Sequence, residues 1–101
     1  MRSVGSSFKT YRVKGRVVLR HIGTDRLLVP VAGEAARSLC VFPVNETGAF
    51  FWERLERGVP VSKVGEDVAA RFEVDEDSAC KDVEAFAVLC CEQGLLEEVD
   101  G

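Results

Sequence analysis

An α+β fold, a three-stranded antiparallel sheet followed by three helices, is what the order of patterns along this sequence predicts. Two observations carry that prediction. Short runs rich in Val, Leu and Phe are confined to residues 16–42, and apolar spacing of helical period begins only after Asn45. Strands and helices segregated in this way build an α+β domain rather than a parallel α/β one. A third observation sets the scale: 101 residues suffice for one modest core, and 47% hydrophobic against 30% charged residues is the balance of a folded globular chain.

Residues 1–14 combine Ser, Gly and Lys without sustained periodicity and read as a flexible basic tail ahead of a folded unit spanning 15–99. The first two strands are expected at 16–21 and 26–31, with Gly23-Thr24-Asp25 between them suited to a hairpin. A longer polar connection over 32–38 leads to a third strand at 39–42. The helical pattern then starts at Asn45, with Ala49 and Trp52, Phe51 and Leu55 at spacings of three and four, and closes at Gly58 and Pro60. Asn45 is of a capping type, and accepting one first-turn amide stabilises a helix by about 1 kcal/mol. A second helix is expected from Ser62, since Val61, Val64, Val68, Ala69 and Phe72 form one apolar stripe; Gly65 within it costs about 1 kcal/mol relative to alanine. The third follows Asp75, another capping type, and aligns Ala79, Val83, Phe86, Ala87 and Cys90 before Gly94 stops it. Leu95-Leu96 then folds back or forms a short terminal strand. The whole is compatible with a winged-helix-like domain.

Charge is unevenly distributed about a net value of −4. Residues 1–26 hold seven Lys or Arg against one acid, a balance of +6, whereas the remainder holds six basic and sixteen acidic residues, a balance of −10. The basic start either forms a solvated tail and polar strand faces or contacts an acidic partner. No apolar run approaches the roughly 18 residues of a membrane span, and residues 1–15 lack the apolar centre of a secretory signal, so a cytoplasmic protein without membrane contact is expected. Cys40, Cys80, Cys90 and Cys91 show no C-x-x-C spacing, and reduced thiols suit that address.

Catalytic chemistry finds little support. His21 is the single histidine and has no paired-ligand motif around it, and Asp75, Glu76 and Asp77 are explained by the positive end of a helix dipole. No glycine-rich phosphate loop is present. The expectation is a protein that is not an enzyme and needs no metal or cofactor. Two other classes stay open. A winged-helix DNA-binding regulator would place a helix in the major groove, but residues 75–93 carry Lys81 against six acids, a charge of −5 that DNA repels. Only the basic N-terminal third, with Phe8 and Tyr11 as stacking groups, suits nucleic acid. A thiol-based redox or metal protein would use the four cysteines. Peptide binding fits better: Ser38-Leu39-Cys40-Val41-Phe42 is apolar on both alternating faces, and as the last strand it lies on an edge that either accepts an extended peptide or is covered by the chain's own helices.

Val44-Asn45-Glu46-Thr47-Gly48, then Phe51-Trp52, then Gly58, followed by Val74, Asp82-Val83, Phe86 and Gly94-Leu95-Leu96, resemble in order and spacing the PqqD-like proteins. These are the peptide chaperones of pyrroloquinoline quinone biosynthesis and, more broadly, the recognition elements of ribosomally made, post-translationally modified peptides. The resemblance covers roughly residues 29–99. It implies that the leader of a ribosomal precursor peptide adds as an antiparallel strand beside the third strand, in a groove facing the third helix, and is presented to a radical S-adenosylmethionine enzyme. Carried over by position, the peptide-binding residues are Leu39, Cys40, Val41 and Phe42 on the strand and Asp82, Val83, Phe86, Leu89 and Cys90 on the helix. Val83 and Phe86 also lie on the helix's main apolar stripe, which leaves core and groove roles both open for them. Asn45 and Thr47 are assigned to capping and turning, and Trp52 to the core. Pro43 lacks an amide hydrogen and limits how far an added strand can extend. A vacant edge also permits a homodimer.

Overall fold

Alternation in Thr10-Tyr11-Arg12-Val13 sends Tyr11 and Val13 to one side, and these residues form β1 (Thr10–Val13). The computed structural model describes residues 9–33, 36–37 and 41–99. It pairs β1 antiparallel with the last strand, Leu96–Val99, to make a separate two-stranded sheet. Tyr11 is only 2% exposed and Val13 packs on the core. The expectation of a loose tail through residue 14 is therefore corrected for Thr10–Val13; residues 1–8 lie outside the described residues. A four-residue strand whose partner lies some 85 positions away leaves too short an alternation to be read locally. Pairing also absorbs part of the basic start. Arg12 forms an ion pair with Glu97 directly opposite, and Lys9 approaches Glu98 at 3.7 Å.

β2 (Arg16–Ile22) and β3 (Asp25–Ala32) meet across the two-residue turn Gly23-Thr24, since Ile22 faces Asp25. Gly23 has φ +63° and Thr24 does not have positive φ, the combination of a type II′ turn with glycine first. Val17 and Leu28 are buried on the inner face of this hairpin, and Leu19 packs beside them. β4 (Phe42–Val44) adds to β3 with Phe42 opposite Leu28, giving the order β2-β3-β4. The third strand was expected at 39–42 and instead continues through Pro43 to Val44; Leu39 and Cys40 lie outside the described residues.

Asn45 caps α1 (Glu46–Glu56), its Oδ1 accepting the Gly48 N–H at 2.7 Å. α2 (Val61–Phe72) follows, and Arg54 of α1 bonds Asp67 of α2 at 3.3 Å while lying over the Phe50 ring. Asp75 caps α3 (Glu76–Glu92) by accepting the Ser78 N–H at 3.1 Å, and Gly94, at φ +78°, turns the chain into β5 (Leu96–Val99). The predicted α+β order of three strands and three helices is thus found, with the two-stranded β1-β5 sheet in addition. Trp52, Leu55, Val64, Val83 and Ala87 are fully buried between the helices and the sheets. Gly65 has a packing reason. A Cβ there would stand 2.2 Å from Cys80 Sγ and 3.2 Å from Cys80 Cα, so its absence lets α2 and α3 approach closely. No helix among the described residues is long and apolar enough to cross a membrane.

Candidate functional site

Among the described residues β4 is an edge strand, bonded to β3 on one side only. Its proline decides which groups face outward. A residue without an N–H fits an antiparallel ladder at a pair that exchanges no hydrogen bonds, so Leu27–Pro43 is such a pair, and Phe42 and Val44 carry the bonds to β3. By alternation, the carbonyl of Pro43 and the amide and carbonyl of Val41 point to the free edge. The edge thus offers two acceptors and one donor over three residues. Pro43 does not block strand addition; it removes one donor from it.

Between this edge and α3 opens a groove of about 680 Å³. Phe42, Pro43 and Val44 form one wall, and Asp82, Phe86 and Leu89 the other. The buried side chains of Leu28, Phe51, Cys90 and Leu95 line it between these walls. Phe86 is half-buried and forms a T-shaped contact with Phe51, ring centroids 5.5 Å apart, so it is anchored on the core while it also lines the groove. Leu89 is 52% exposed, an uncovered apolar side chain on a rigid helix.

The structure brings Phe42, Asp82, Phe86, Leu89 and Cys90 together around this groove. Val83 is not among its lining residues: it is fully buried in the core, which closes the choice between groove and core for that residue. Val41 is exposed at the start of the edge but does not line the groove, and Leu39 and Cys40 lie outside the described residues. Asn45, Thr47 and Gly48, read from sequence as capping and turning only, line the groove as well. A Cβ on Gly48 would stand 3.2 Å from Asn45 Oδ1 and 3.4 Å from Phe86 Cε1, so one glycine serves both the cap and the approach of Phe86. Gln93, at the end of α3, is the remaining polar addition. The density of family-like residues at 44–48 was a signal for this wall, hidden because helix capping accounted for the same residues.

Among the described residues the lining is uncharged apart from Asp82, and its thiol, Cys90, is held protonated. Burial, then the neighbouring Cys91, pushes the Cys90 thiol up to about 12. The Cys80 and Cys91 thiols are raised too, each first by burial and then by nearby carboxylates, Glu76 and Glu98 foremost. Thiols held protonated are poor nucleophiles and poor metal ligands. Among the described residues no three of His, Cys, Asp and Glu gather to hold a metal ion. α3 carries Lys81 against five acids, a charge of −4, which opposes docking of this helix on DNA.

The Cys90 shift has a consequence for stability. Its folded pKa lies above the unfolded value of about 8.5, so this group leaves stability unchanged below that pH and lowers it above, as the unfolded chain alone ionises. Wild type is expected to lose up to about 2 kcal/mol from this group between about pH 7 and about pH 10, a loss absent in Cys90→Ala. Urea unfolding of both proteins at the two pH values checks it; equal pH slopes would show the thiol to be solvated.

The family model described as "Coenzyme PQQ synthesis protein D (PqqD)" matches residues 35–96 of the chain. No match was found among curated proteins. Two solved structures share the fold. One, "Lasso peptide synthetase B1 complexed with the leader peptide", is 21% identical with a TM-score of 0.73 and covers 86% of this chain and 96% of its own. The other, "TbiB1 in Complex with the TbiA(beta) Leader Peptide", is 21% identical with a TM-score of 0.71 and covers 89% and 99%.

Proposed function

The chain belongs to the PqqD family, and from that premise we propose that it is a non-catalytic peptide-binding module for the leader of a ribosomally made precursor peptide. The leader adds as a strand to the free edge of β4 and lays alternate side chains against α3. The observation that carries this reading is the apolar groove lying between an unpaired strand edge and a helix wall with an exposed leucine. Backbone bonds to Val41 and Pro43 give sequence-independent affinity, and the pocket side chains select among sequences. The descriptions of both similar structures name a bound leader peptide, which supports the same occupant here.

Holding the leader raises the effective concentration of the precursor's remaining part at a modifying enzyme and fixes its orientation, with no chemistry on the module itself. A radical S-adenosylmethionine enzyme is the partner that the family resemblance implies. The module contributes no cofactor in this reading, and pyrroloquinoline quinone is one product among those such a module can serve. In the absence of peptide the same edge can pair with a second copy.

Titration of the isotope-labelled protein with the leader of a cognate precursor tests the site. Amide shifts are expected at 41–48 and 82–95, with slowed exchange at Val41. Shifts confined to β1 and β2 would overturn it.

A further inference from the structure

Among the described residues, Asp82 is the single charged one that lines the groove. It stands on the helix wall with Phe86, Leu89 and Gln93 at i, i+4, i+7 and i+11, one stripe along α3. Among the described residues it makes no ion pair and no Lys or Arg lines the groove with it; Lys81 beside it on α3 and Arg26 opposite Val44 lie outside the lining, and Arg54, Lys63 and Arg71 pair with other acids. Glu84 on the same helix adds to the negative potential. The opposite wall, Phe42, Pro43 and Val44, supplies no cation. Asp82 is exposed and has no ion-pair partner among the described residues, so a cation on the groove's occupant can meet it without displacing one.

We propose that Asp82 is a specificity-determining residue that selects peptides carrying a lysine or arginine at one defined position. Helix and strand geometry give the position. Asp82 and Phe86 are about 6 Å apart along α3 at 1.5 Å per residue, close to the two-residue repeat of about 6.7 Å between side chains on one face of a strand. The occupant's cation thus sits two residues from the apolar side chain that meets Phe86. A second apolar side chain, two further on, meets Leu89. The recognised segment is cation-x-apolar-x-apolar, read in the direction set by antiparallel pairing with β4. An acidic residue at the first position is disfavoured, since it would lie unpaired against Asp82 and in the field of Glu84.

The inference rests on the peptide-binding reading, and one experiment separates them. A randomised peptide library is selected against the full chain, and a winning peptide is resynthesised with its basic residue replaced by norleucine or by glutamate. Affinities are measured for wild type, Asp82→Asn and Asp82→Lys, with amide shifts of Phe42 and Val44 reporting groove occupancy. The expected result is that wild type prefers the basic peptide over the norleucine form by about fivefold at low salt. Asp82→Asn brings the basic-to-norleucine ratio close to one, and Asp82→Lys reverses the preference toward glutamate. Peptides that shift the β4 amides but show the same basic-to-norleucine ratio in all three proteins would overturn the inference and leave the groove reading standing. Selected peptides that leave those amides unmoved would overturn both.

Discussion

Gly65→Ala is expected to destabilise the domain by about 1–2 kcal/mol, although on an open helix face the same change stabilises by up to about 1 kcal/mol. The sign is set by Cys80. The new methyl carbon would lie 2.2 Å from its Sγ and 3.2 Å from its Cα and Cβ, so the thiol must leave its place and the helix axes must still separate slightly. Overpacking of this kind costs roughly 1–3 kcal/mol and outweighs the gain in helix propensity. Removing the sulfur should return part of the loss: Gly65→Ala with Cys80→Ala is expected to lie between the single glycine variant and wild type, because the backbone approach remains tight. Denaturant unfolding of the four proteins of this cycle measures the coupling. A Gly65→Ala variant more stable than wild type would show that α2 and α3 do not approach as described.

Leu89→Asp is expected to weaken peptide binding at least tenfold while leaving unfolding stability within about 0.5 kcal/mol. Leu89 is 52% exposed and lines the groove, so it contributes little to the core and much of its apolar surface to an occupant. Burying a leucine on binding is worth about 1.5–3 kcal/mol, and a carboxylate in its place must be desolvated. Val88 is the control. It precedes Leu89 on the same helix, is 46% exposed, and does not line the groove, so Val88→Asp should bind peptide as wild type does. Calorimetric titration of both variants decides the matter, and equal losses would remove the groove from the proposed function.

The helices were legible because each announces itself within a few residues. Asn45 and Asp75 bond the amides three positions on, and the stripe of Val61, Val64 and Val68 is buried as its spacing requires. The β2-β3 hairpin was legible for the same reason, since a glycine-led two-residue turn encodes its own reversal. β1 was not, because its partner is β5 at the other end of the chain, and a pairing of distant segments leaves no local period. Phe86 and Val83 show the limit inside one helix. Both occupy the apolar stripe, yet Val83 is sealed in the core whereas Phe86 meets Phe51 with one side and the groove with the other.

Composition, capping and periodicity, all properties of neighbours in the chain, were sufficient for an α+β domain with these helices and with a strand leading into Asn45. Among the described residues, packing alone left that strand's outer edge without a partner, set α3 across from it, and made Asp82 the only charge on the lining between them. A pattern of one residue after another specifies which side of an element is apolar. What that side then faces, another helix, a sheet edge or an open groove, depends on how far apart the elements come to rest, and here that distance is set by contacts as local as Gly65 on Cys80 and Gly48 beside Phe86.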